Sequence, residues 1–284
     1  MPHHHGATGS WEVSLSITLA LFLVAAVYLR VWLHLRSVTK FSAWRAASFW
    51  GGLFLIWVAV ASPVAALDHE LLTVHMIQHL LLMTLAPPLI WLGEPVLVLS
   101  RGLPRPVVRV IEPVLQRQLV QHVGRIVARP RFALLASSAA LIGWHIPGAF
   151  ALAMRSETWH FVAHASFLVT GLLFWWPVIQ PWPSVARSEL SIVLYLFFAT
   201  LPCDVLSGFL VFCDRVVYTS YLSSSHFFGF SALGDQQCAA ALMWTCVTVV
   251  YLVAGAILTM RLLSPQSELA AGAQKFTQHR AEAA

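Results

Sequence analysis

Charged side chains are scarce in this chain. Lys, Arg, Asp and Glu together make up 10% of its 284 residues, against 58% hydrophobic residues and a mean hydropathy of +0.75. A soluble globular domain carries about 25% charged residues, so that class is excluded and an integral membrane protein is implied. Cysteine is nearly as rare. The four present form no CxxC and no paired spacing, which excludes a zinc ribbon or a disulfide framework and leaves only a single Cys213–Cys238 bridge to consider. A basic region is missing ahead of the first apolar run, in "MPHHHGATGSWEV", so no cleavable signal peptide is expected and that run itself serves as the membrane signal. No internal repeat or second domain is visible, and residues 1–284 are expected to form one integral membrane domain.

Long apolar runs are what the chain does have. Seven are long enough to cross about 30 Å of hydrocarbon as helices, near residues 13–35, 46–66, 71–92, 132–153, 158–179, 190–212 and 236–262. The expected fold is therefore all-α, a seven-transmembrane-helix bundle in contact with lipid. Pro87, Pro88 and Pro95 interrupt and end the third run, with Gly93 as its expected C-cap. The net charge of +5 does not point to nucleic acid, because the basic residues lie in short connections between runs. All Lys and Arg except Arg155 and Arg215 fall in alternate connections, so the positive-inside rule puts the N-terminus outside and the C-terminus in the cytoplasm. The long connection 93–131 is expected to be either an amphipathic helix on the inner leaflet or a solvated basic loop.

That topology gives the histidines a side. All but three of the 13 (His34, His122 and His279) map to outer loops or outer halves of spans: His3, His4, His5, His69, His75, His79, His145, His160, His164 and His226. His75 and His79, four residues apart, project from one face of a helix, with Met83 a further turn down the stripe. His160 and His164 repeat the spacing in the fifth run. Two neighbouring helices can thus offer four imidazoles at one depth, His79 and His164 lying a turn deeper than their partners. Imidazole suits zinc, copper and iron, and a thioether such as Met76 or Met83 favours Cu(I). Coordination would offset the cost of polar groups in hydrocarbon; interhelical hydrogen bonding alone is the competing explanation. His3–His5 is a metal-collecting tail, an added tag or an accident of a chain end.

Carboxylates crowd the same half. Asp68 precedes the third run. Asp204, beside Pro202 and Cys203, suits a ligand, a partner to a ligand's second nitrogen, a proton path, or a hydrogen bond at a helix kink. Asp235 suits a cap of its own span. Cys203, Cys238, Met243 and Cys246 suit core filling better than a soft-metal path. Two other functions fit the spacing. One is a zinc-dependent intramembrane hydrolase with Asp204 or Asp235 as base; the other is a protein holding haem b between histidines of the third and fifth runs.

The stretches "HMIQHLLLMTLAPPLIWLGEP" (75–95), "HFVAHASF" (160–167), "LLFWWPVIQPWP" (172–183) and "DQQCAAALMW" (235–244) resemble motifs of the seven-span CtaG family, assembly factors for caa-type cytochrome c oxidase. The resemblance implies a multi-pass protein of a bacterial plasma (inner) membrane that matures a haem–copper oxidase and handles copper on the outer side. Oxidase subunits or other copper chaperones would be its partners. The motifs fall on His75, Met76, Gln78, His79, His160, His164, Asp235 and Gln236. The last stretch departs from the family pattern, which leads one to expect a glycine near Ala240 or Ala241.

Overall fold

The structure, a computed structural model, describes residues 7–38, 42–102, 109, 113, 117–127, 129–180, 188–222, 229 and 231–263. His3–His5, His226 and His279 lie outside the described residues. Among those described, all regular structure is helical. Helices α1 (Ala7–Val38) and α2 (Ala43–Ala61) are followed by a 3₁₀ turn, Ala65–Leu67. The third span comprises α3 (Leu72–Leu80), a π-helical segment Leu81–Leu85, and α4 (Ala86–Leu92). The connection after it contains α5 (Pro95–Gly102) and α6 (Gln118–Val127). Then come α7 (Pro130–His145), α8 (Pro147–Arg155), α9 (Glu157–Ile179), α10 (Glu189–Phe212) and α11 (Ala232–Leu262).

Six helices are long and apolar enough to cross a membrane, and α7 with α8 makes a seventh span if the bent pair counts as one. The run expected to cross as one helix near 132–153 is thus broken, bent by 75°. Pro147 is the reason: its ring disfavours helical backbone in the residue before it, and Ile146 is extended (φ −62°, ψ 126°). Large apolar side chains such as Phe22, Phe197, Val205, Phe209 and Phe212 are exposed on the outside of the bundle, where lipid tails would cover them.

The third span lies at the centre. Of its membrane-crossing window 56% is buried, against 17% for α1. Pro87 and Pro88 supply no N–H to the turn before them, and the chain answers with the wider π turn. The turn's backbone lies directly on α9, where a Cβ at Gly171 would stand 2.7 Å from the Met83 carbonyl oxygen and 2.9 Å from its Cα. At the span's far end Tyr28 donates to the Gly93 carbonyl (2.8 Å) and Arg45 pairs with Glu94. Gly93 is the C-cap, as expected, but with an ordinary φ of −75°. A side chain is excluded there by crowding instead, since a Cβ would meet that of Phe49 at 2.6 Å. The considered Cys213–Cys238 bridge does not form. All four cysteines are free, Cys238 facing outward from α11.

Candidate metal centre

The site is assembled at the end of the bundle where the third span begins. Asp235 accepts from the Leu72 N–H (2.7 Å), the Thr73 N–H (3.1 Å) and the Thr73 hydroxyl (2.5 Å). It therefore caps α3, across the bundle, and not its own helix; Ser231 caps α11 by accepting from the Gly234 N–H (3.1 Å). A carboxylate there satisfies two of the orphan amides and faces the positive end of the helix dipole. Gln78 donates to the Ala65 carbonyl (3.2 Å), tying α3 to the turn that presents Asp68 and His69. Gln236 clamps the connection after α10, accepting from the Val217 N–H (2.7 Å) and donating to the Arg215 carbonyl (3.1 Å).

Within this frame α3 carries His75 and His79, α9 carries His160 and His164, and α7 ends in His145. Ring centroids of the two pairs are 4.3 Å apart within each helix. Across helices they are 5.5 Å for His75 and His160, 6.2 Å for His75 and His164, 5.9 Å for His79 and His164, and 5.6 Å for His79 and His145. Two imidazoles that share a tetrahedral ion at metal–nitrogen bonds of about 2.0–2.1 Å have centroids roughly 5 Å apart, so these spacings suit shared coordination. Towards the loops, Asp68, His69 and His160 bring ligand atoms within 4.8 Å of one another. His160 Nε2 stands 3.4 Å from the Asp68 carboxylate, within ion-pairing distance, yet is not aligned as a hydrogen bond.

Aromatic residues seal the cluster. Phe150 lies edge-on to His75 (5.1 Å between centroids), and Phe167, fully buried, underlies His79 (4.2 Å). Tyr221 donates to the Asp68 carbonyl (2.5 Å) and Tyr218 to the His145 carbonyl (3.2 Å). Burial pushes both phenol pKa values up, with the Asp68 and Asp235 charges adding to the effect at Tyr221, so both hydroxyls remain proton donors. Beside His79 a cavity of about 30 Å³ opens towards α10 and α11, bordered by Met83, Cys203 and Met243. It has room for about two waters.

Five buried ring nitrogens in this cluster have no hydrogen-bond partner: Nδ1 of His75, both of His79, and Nε2 of His160 and His164. Leaving such a group unmet costs about 1–3 kcal/mol each, and imidazole nitrogens are what zinc, copper and iron bind. The donor set fits a metal ion. It does not fit haem, whose macrocycle needs far more room than the cavity of about 30 Å³ beside His79 offers.

A family model for the cytochrome c oxidase caa3 assembly factor (Caa3_CtaG) matches residues 26–264. The chain belongs to that family. No curated protein and no solved structure matches it. The match to the caa3 assembly factor family spans the whole cluster, from Asp68 to Gln236.

Of the residues expected from sequence, this member of the caa3 assembly factor family brings His75, His79, His160 and His164 together, with His145, Met76 and Asp68 against them. Met83 borders the cavity beside His79. Asp204, on the part-exposed side of α10, neither joins the metal-binding group among the described residues nor lines the cavity. Asp235, Gln78 and Gln236 are structural ties, so a hydrolase would find no free base in Asp235. His75 is not a mouth residue: it is 2% exposed against 5% for His79, while the expected difference of depth does hold between His160, half-buried, and His164. Sequence reading passed over Phe150, Phe167, Tyr218 and Tyr221. No local pattern distinguishes a sealing aromatic from a core or interfacial one.

Proposed function

We propose that this assembly factor binds a copper ion among His75, His79, His160 and His164 and delivers it to the oxidase it matures. The observation that carries the proposal is the set of buried imidazole nitrogens without partners, gathered from two spans. The membership in an oxidase assembly family supports copper as cargo, because a haem–copper oxidase must be supplied with it. The excess of Lys and Arg in alternate connections supports an outward-facing site in a bacterial plasma membrane, where oxidase subunits or other copper chaperones would be the partners.

Copper analysis of the purified full-length protein tests this. After loading with Cu(I) and removal of excess, wild type should retain about one ion or more per chain. The variant with all four histidines replaced by alanine should retain none and should fail to mature the oxidase in cells. A wild type that holds no copper, or a fourfold variant that holds it undiminished, overturns the proposal.

A further inference from the structure

One contact in the cluster is not explained by hydrogen bonding. His145 Nδ1 lies 2.7 Å from the Leu141 carbonyl oxygen. That oxygen can only accept, so the proton is on Nδ1 and Nε2 carries a bare lone pair. Nε2 faces the Met76 sulfur at 3.3 Å, and a thioether has no hydrogen to give. The reverse tautomer would set a lone pair against a carbonyl at 2.7 Å, and a doubly protonated ring would bury a cation away from any carboxylate partner. Two Lewis bases are therefore aimed at each other with no proton between them. The ring is held so: Tyr218 pins the His145 backbone carbonyl, and Pro147 ends the helix just beyond it.

We infer that His79, His145 and Met76 form a Cu(I) site distinct from the oxygen-containing group of Asp68, His69 and His160. A d¹⁰ ion with bonds of about 2.0 Å to imidazole and about 2.3 Å to sulfur spans a 3.3 Å gap at an angle of roughly 100°. His79, with both nitrogens unpartnered and its ring 5.6 Å from that of His145, supplies the third ligand. Met76 and His79 lie three residues apart on α3 and so share a face. Met76, His79 and His145 are all buried, at 1%, 5% and 4% exposure. Soft ligands in a buried site select Cu(I) over harder divalent ions. The Asp68 group, with a carboxylate and two imidazoles nearer the loops, has the opposite preference. The inference rests on the copper reading above and gives the ion's oxidation state and its deeper resting place.

X-ray absorption at the copper edge, on full-length protein loaded anaerobically with Cu(I), tests it. Wild type should show sulfur in the first coordination shell at about 2.3 Å. Met76→Leu should lose that sulfur and bind Cu(I) at least about 10-fold more weakly, since even outer-shell partners are worth that much, while Zn²⁺ affinity stays as in wild type. His145→Gln should weaken Cu(I) in the same way. A stoichiometric copper protein with nitrogen ligands only leaves the copper reading standing and sinks the thioether site. Equal losses of Zn²⁺ and Cu(I) in Met76→Leu would reduce Met76 to packing and overturn the inference. A wild type without copper fails both.

Discussion

His79 shows at the scale of one residue how function and stability pull apart. Its ring is 5% exposed, tilted against Phe167, with neither nitrogen satisfied. Replacing it by leucine removes two unmet polar atoms and keeps an apolar side chain, a change that is close to neutral or stabilising for the metal-free fold. Metal-free His79→Leu is therefore expected to melt at or above the wild-type temperature, and to lose the upward shift that copper gives wild type. A melting point several degrees lower would show that His79 has a structural partner after all. Asp235 has the opposite character. Its carboxylate caps α3 with two amides and a hydroxyl, so Asp235→Ala is expected to cost about 1–2 kcal/mol in unfolding measurements and to weaken copper binding by loosening the helix that carries His75 and His79. Unchanged stability in that variant would remove the cap from the account.

Among the elements, the π turn of the third span sets how closely that span approaches α9. It widens the helix one turn below His79 and rests on α9 at Gly171, where a Cβ would meet the Met83 carbonyl oxygen at 2.7 Å. Gly171→Ala must push backbone against backbone, which overpacking makes worth about 1–3 kcal/mol of lost stability, and should separate the two histidine-bearing helices enough to reduce copper affinity. Gly255→Ala is the control: nothing lies within 4 Å of its added Cβ, and its helical position should make the change neutral or stabilising by up to about 1 kcal/mol. Melting both variants in the same detergent separates local crowding from a general intolerance of alanine.

For the whole molecule the decisive question is which side of the membrane the cluster faces. The distribution of Lys and Arg predicts that the connections containing Arg155 and Arg215 lie outside. Cys213, half-exposed at the end of α10, belongs to one of them. In intact cells a variant retaining only Cys213 should react with a membrane-impermeant maleimide, while an epitope at the C-terminus should be reachable only after permeabilisation. The reverse pattern would place the histidines on the cytoplasmic side and remove the support for outward delivery.

Hydrophobic run length and the i, i+4 histidine pairs are local properties, and they sufficed for the helical membrane fold and four of the cluster's imidazoles; the family was legible only in the resemblance of longer stretches such as "HMIQHLLLMTLAPPLIWLGEP". A span must hide its backbone polar groups within itself, so its existence is written in composition alone. What lay between helices was not legible. Asp235 caps a helix 163 positions away, and nothing in "GDQQC" distinguishes that from a cap of its own span. The run 132–153 read as one span, and nothing in its composition shows that a 75° bend places His145 against Met76. The direction in which a lone pair faces depends on which carbonyl the other nitrogen meets, and that is decided only when Leu141, His145 and Met76 are packed together.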